Sequence, residues 1–160
     1  MSVLDHFRAR LVRLIRARSV VQEDVEIKFP VEFKIEATPL SLQAKSRSKE
    51  QWKQQVREAS KVAVGQSTWA TSSPVFVTIY YFPDGRMQGD VDNIVKNILD
   101  GMKTCVYLDD RQVQRVLVQK FESEAGVFAF DNPTPALSEA ADTEPPVVYI
   151  RVDNDSSLDG

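Results

Sequence analysis

Residues 75–120 read VFVTIYYFPDGRMQGDVDNIVKNILDGMKTCVYLDDRQVQRVLVQK, and the plan of the fold is written in them. The first eight are all β-branched or aromatic, the composition of a strand, and Pro83-Asp84-Gly85 ends them in a turn. From about Asn93 to Met102, Ile94, Ile98 and Met102 recur at helical spacing, which predicts a helix. Residues 112–120 return to a strand pattern, and 126–130 are expected to continue it as a hairpin.

Upstream, Ile27, Phe29, Val31, Phe33 and Ile35 alternate with mostly charged or polar residues, a half-buried strand in which Pro30 marks an edge or a bulge. Ser48 to Gln51 has the S-x-x-Q form of a capping box, opening a helix to about residue 64 with Trp52, Val56, Ala59 and Ala63 as its apolar stripe. Farther back, Leu4, Phe7, Leu11, Leu14 and Ile15 fall at helical spacing among five arginines. Residues 1–24 are therefore expected to form a basic amphipathic helix, packed on the body or a partner subunit, with a membrane surface as the alternative. Downstream, residues 131–146, with four prolines and four acids, read as an acidic Pro-rich loop, and Val147–Val152 as a last strand. Residues 154–160 read as a disordered acidic tail. The order α-β-α-β-α-β-(β)-β predicts an α+β fold: a single domain over residues 25–153, one mixed β-sheet with packed helices, plus the extra N-terminal helix.

At 160 residues, 42% of them hydrophobic, the chain is long and apolar enough for one domain with a real core. Cys105 stands alone, so no internal disulfide can form and a cytoplasmic, reducing setting is expected. No apolar run approaches the roughly 20 residues that span a bilayer, and the N-terminal stretch has no signal-peptide core. His6 is the one histidine, which argues against Ser-His-Asp hydrolysis, histidine-based nucleases and Cys-His zinc sites. Hydrolytic chemistry is left to carboxylates, a metal or lysine. Of the net charge of −3, residues 131–160 carry −6, seven acids against Arg151, so residues 1–130 are mildly basic at +3.

Asp90 and Asp92 flank one residue at the start of the predicted helix, so in extended geometry they share a side of the chain. Two such carboxylates repel unless a cation sits between them, and hard oxygen ligands suit Mg²⁺ or Mn²⁺. Lys96 lies one turn past Asp92, where its ammonium suits a pentavalent phosphate, and Asp100 lies one turn farther. Asp109-Asp110, after the helix, is expected to return beside the first pair and complete a site. A helix cap at Asp92, a solvated Asp92–Lys96 pair and a turn at Asp109-Asp110 account for the same residues one by one. Spacing alone leaves both readings open.

The order Asp90-Val91-Asp92-Asn93-Ile94-Val95-Lys96, then Asp100, then Leu108-Asp109-Asp110-Arg111-Gln112-Val113 and Lys120, resembles the RusA family of Holliday junction resolvases. Thr38-Pro39-Leu40-Ser41-Leu42-Gln43-Ala44-Lys45, with Trp52 following, resembles the family's N-terminal motif, and the likeness covers roughly residues 26–153. It implies a homodimeric endonuclease, dependent on Mg²⁺ or Mn²⁺, that nicks opposed strands of a four-way DNA junction. It also implies metal-binding, catalytic roles for Asp90, Asp92 and Asp110 and a catalytic role for Lys96. The chain departs from the family's prototype before the motif, where Arg86 stands in place of a run of arginines and Gly89 precedes Asp90. Two other readings stay beside this one: a nuclease of the same fold for other branched DNA, and a catalytically silent DNA- or partner-binding module.

Lys49, Lys53, Arg57 and Lys61 recur every four residues on the helix after Ser48, with Lys45 and Arg47 before it. They are expected to form a solvent-facing phosphate track, joined by Arg86 and Lys120, unless they are simply a solvated helix surface.

Overall fold

The computed structural model describes residues 25–65, 68–122 and 128–155. The helix expected over residues 1–24 and residues 156–160 of the tail lie outside them. The chain runs β1 (Val25–Glu26), β2 (Val31–Ile35), α1 (Ser46–Val64), β3 (Thr68–Trp69), β4 (Val75–Phe82), α2 (Asp92–Met102), a 3₁₀ turn (Asp110–Gln112), β5 (Val113–Lys120), α3 (Pro135–Asp142) and β6 (Val147–Asp153). This is the expected α+β fold with a mixed sheet.

The main sheet has the order β2-β6-β4-β5, and β1 pairs separately with β3. β6 is antiparallel to both β2 and β4, whereas β4 and β5 are parallel. A parallel pair needs a crossover connection, and α2 supplies it. Pro30, which has no N–H to donate, lies just before the edge strand β2, where the ladder loses nothing by it.

Alternation along the strands sorts the residues onto two faces. Val31, Phe33, Ile35, Val77, Ile79, Tyr81, Val148, Ile150 and Val152 are buried against Trp52 and Val56 of α1 and Ile94, Ile98 and Met102 of α2. The other face carries Tyr80, Phe82 and Tyr149, which pack with Phe121, Phe128, Phe130 and Ala140 of α3.

Four expectations are corrected. α1 starts at Ser46 after Lys45, without a side-chain cap, so Ser48 lies inside the helix and makes no capping box. Its buried stripe continues from Val56 to Ser60, and Ala63 is exposed. The segment 128–130 is not a strand; Phe128 and Phe130 join the aromatic cluster instead. The supposed loop 131–146 contains α3, with Thr134 as its N-cap and Pro135 in its first turn, where a missing N–H costs nothing. Ala140 is fully buried there, and that contact gives the short helix its reason to form.

Candidate active site

α2 buries Ile94, Ile98 and Met102, and this orientation sends Asp92, Lys96 and Asp100 along another face at intervals of four residues. Val91, not Asp92, occupies the N-cap position, so the capping role does not account for Asp92. Gly89 takes φ +84°, a left-handed conformation that a side chain would strain, and thereby turns the chain into Asp90. The carboxylates of Asp90 and Asp92 are exposed, and neither takes part in a hydrogen bond or ion pair among the described residues.

The motif segment 38–45 is tied to the start of α2. Leu42 donates its N–H to the Asn93 carbonyl at 3.0 Å, and the buried Asn97 donates Nδ2–H to the Leu40 carbonyl at 2.9 Å. Lys45 and Arg47, both exposed, follow directly.

Gln112 builds the return turn. Its Oε1 accepts the N–H groups of Leu108 (2.9 Å) and Asp109 (2.8 Å), and its Nε2 donates to the carbonyls of Thr71 (2.7 Å) and Ser73 (2.8 Å). The Asp109 carboxylate accepts from the Arg111 N–H and Nε, both at 2.9 Å. Asp109 is thus occupied by the turn, and Asp110 is the residue turned to α2.

Asp110 Oδ2 accepts from Lys96 Nζ at 3.1 Å and faces Lys103 Nζ at 3.7 Å. Its Oδ1 is buried and has no hydrogen-bond partner among the described residues. Lys96 Nζ also donates to Asp100 Oδ1 at 2.5 Å, and Asp100 Oδ2 faces Lys53 Nζ at 3.3 Å. The hydrogen bond to Asp100, helped by Asp110 and opposed by partial burial, holds the Lys96 ammonium above the ordinary lysine value. Lys96 therefore carries a positive charge at neutral pH. Burial pushes the Asp100 carboxyl up, but Lys96 and Lys53 together outweigh it and leave it below the usual carboxylate range.

The return turn thus meets α2 at Lys96, one turn past Asp92. Among the described residues, no three histidine, cysteine or carboxylate groups stand close enough to hold a metal ion. In donor chemistry the residues suit a hard divalent cation: two unengaged carboxylates at the start of the helix, Asp90 just before it and Asp92 in its first turn, and one Asp110 oxygen buried without a donor among the described residues. The pocket of about 820 Å³ over Phe76, Thr78, Tyr80, Tyr149 and Arg151 lies on the other face of the sheet and includes none of these aspartates.

The family model for the endodeoxyribonuclease RusA matches residues 10–128. The chain belongs to the RusA family. The match begins upstream of the residues expected to carry the likeness and ends before α3 and β6, although β6 lies between β2 and β4 in the sheet of this RusA-family chain. No curated protein matches the chain significantly.

The basic residues divide in a way the sequence hid. Lys45, Arg47, Lys61 and Arg86 are exposed. Lys49 Nζ donates to the Leu42 carbonyl at 3.2 Å, Lys53 faces Glu50 and Asp100, and Arg57 donates to Thr104 Oγ1 at 3.1 Å. Lys120 pairs with Glu122 at 2.9 Å, whose carboxylate also accepts the Met87 N–H. The four-residue stripe is therefore not a solvent-facing track free of acids. Lys103 and the Lys53–Asp100 link were missed; the seven-residue step from Lys96 to Lys103 was the available signal for the first.

Proposed function

We propose that this RusA-family protein is a divalent-metal-dependent, structure-selective DNA endonuclease that resolves four-way junctions by paired nicks, as a homodimer with one site per subunit. The observation that carries the reading is the Asp110 carboxylate, with one oxygen on Lys96 and the other buried without a donor. A buried acceptor left so is costly, and a bound cation would relieve that cost. Asp90, Asp92 and Asp110 would hold Mg²⁺ or Mn²⁺, which supplies Lewis acidity at the phosphate and a more acidic bound water. Lys96, held by Asp100 and Asp110, offers a preorganised positive charge to the oxygens that gain charge in the transition state. Gln112 keeps the Asp110 turn in place through four hydrogen bonds. Lys45, Arg47, Lys61 and Arg86 meet phosphates farther along the DNA.

Cleavage of a synthetic four-way junction, a flap and a linear duplex, each with and without Mg²⁺, tests the reading. Metal-dependent paired nicks in the junction alone are expected. Preference for the flap would move the protein to other branched DNA, and binding without cleavage of any substrate would make it a silent DNA-binding module.

A further inference from the structure

Lys53 belongs by sequence to the basic face of α1, where a phosphate contact is the natural expectation. The structure instead sets its Nζ 3.3 Å from Asp100 Oδ2 and 3.3 Å from Glu50 Oε1, with about a quarter of the side chain exposed. Asp100 is shared between two lysines, Oδ2 to Lys53 of α1 and Oδ1 to Lys96 of its own helix. Lys96 in turn reaches Asp110 Oδ2 at 3.1 Å. A chain of alternating charge thus leads from α1, through α2, to the turn before β5.

Backbone packing fixes the crossing independently of the charges. A Cβ on Gly101, the neighbour of Asp100, would stand 2.6 Å from Val56 Cβ and 3.0 Å from the Lys53 carbonyl oxygen. No residue larger than glycine fits there without moving a helix, so α1 and α2 approach closely beside the Lys53–Asp100 link. The two residues are presented to each other by helix packing, which a flexible surface pair would lack.

We propose that Lys53 is a positioning residue for Lys96: by holding Asp100 Oδ2 it leaves Oδ1 to receive Lys96, and so sets where the Lys96 ammonium stands relative to Asp110. Without Lys53, the Asp100 carboxylate is free to turn and take Lys96 with both oxygens, drawing the ammonium away from Asp110. The inference rests on the reading of Lys96 as the transition-state charge.

The test separates rate from binding. Single-turnover cleavage of a four-way junction is measured at saturating protein in Mg²⁺, normalised to junction bound, and the junction Kd is measured in Ca²⁺. Lys53→Met should slow the saturated rate by about ten- to a hundredfold, the scale of a small misplacement, with Kd changed by less than about twofold. Lys53→Arg, which keeps a charge for Asp100, should recover most of the rate. Adding Lys53→Met to Asp100→Asn should cost nothing further, because both act through one contact. A Kd that rises with a shallower salt dependence, at an unchanged saturated rate, would overturn the proposal and return Lys53 to the phosphate track. Additive losses in the double variant would overturn it too. Lys96→Ala tells the two failures apart. If that variant keeps the wild-type rate, the reading of Lys96 fails and the positioning role falls with it. If it is slow while Lys53→Met is not, only the positioning role fails.

Discussion

Asp110 gives its two oxygens opposite surroundings. Oδ2 has the ammonium groups of Lys96 and Lys103, whereas Oδ1 is buried with no donor among the described residues. A buried acceptor of that kind is a standing cost that a bound cation would remove, so on the proposed metal-dependent reading Mg²⁺ should also stabilise the fold. Mg²⁺ at ten times its Kd contributes about 1.4 kcal/mol by mass action. For a chain of this size that is a rise in Tm of about 3–6 °C. Thermal melts should show this rise in the wild type, and Asp110→Asn, Asp90→Asn and Asp92→Asn should each lose it together with cleavage while still binding the junction. A full Tm rise in any of them would remove that residue from the metal site. Asp100 gives a second prediction at this scale. Its carboxyl is held below the usual range in the folded protein, so its stabilisation is complete above the unfolded value near 3.8 and is lost as pH falls through the lower folded value. The stability gap between wild type and Asp100→Asn should therefore be flat from about pH 5 to about pH 8 and should close in acid. A gap that closes near neutrality would assign it to some other group. The Asp92–Lys96–Asp100 face was legible in the sequence because one helix fixes spacings of four. The partners of that face were not. Whether Lys53 points to solvent or to Asp100 depends on how α1 crosses α2, which no spacing within either helix records.

α3 shows the same division between local and tertiary information among the elements. Thr134 Oγ1 accepts the Leu137 N–H at 3.2 Å and donates to Glu32 Oε1 at 2.6 Å, so one hydroxyl both caps the helix and docks it on β2. Glu32 also accepts from the Tyr149 hydroxyl, whose acidity burial suppresses. Thr134→Ala removes the cap and one of two partners of Glu32, and should cost about 1–2 kcal/mol. Chemical denaturation would measure it, and Thr134→Ser, which keeps the hydroxyl, should recover most of the loss. An unchanged midpoint for Thr134→Ala would mean that the segment contributes no more than a loop. The helix was hidden because four prolines and four acids in residues 131–146 outweigh its eight residues, of which only Ala140 is fully buried. The cap-then-proline pair Thr134-Pro135 was nevertheless present as a start signal. β4, by contrast, has the limits that its composition set, Val75–Phe82, since a strand paired on both sides, with one face fully buried and the other partly covered, leaves little room for other residues. α2 matches its expected span to within one residue for a related reason: Ile94, Ile98 and Met102 recur at i, i+4 and i+8 and are all buried.

On the scale of the whole molecule, the question is how a chain of net charge −3 holds a polyanion. Among the described residues no helix is long and apolar enough to cross a membrane, and the charge along the chain is unevenly spread. Counting lysines and arginines overstates what the DNA can use, because several are held by the protein. Lys53 and Lys96 are tied to Asp100, Arg57 donates to Thr104, and Lys120 is paired with Glu122. Lys45 and Arg47 are different: both are exposed, with no ion pair among the described residues, and they follow a segment hydrogen-bonded to the start of α2 beside Asp92. DNA entering the site would pass them, and each phosphate neutralised there would release counterions. The slope of log K against log salt should then become less negative by about 0.9 for each phosphate no longer neutralised, or about 1.8 for Lys45→Ala with Arg47→Ala. Lys53→Met should leave the slope unchanged, although the sequence places it on the same basic stripe. Fluorescence anisotropy of a labelled four-way junction over a salt series, in Ca²⁺, would measure both. The saturated cleavage rate of the Lys45/Arg47 double variant should stay near wild type, since on the proposed reading these residues would hold phosphates away from the bond that breaks. An unchanged slope for that pair would put the DNA on another surface of the molecule.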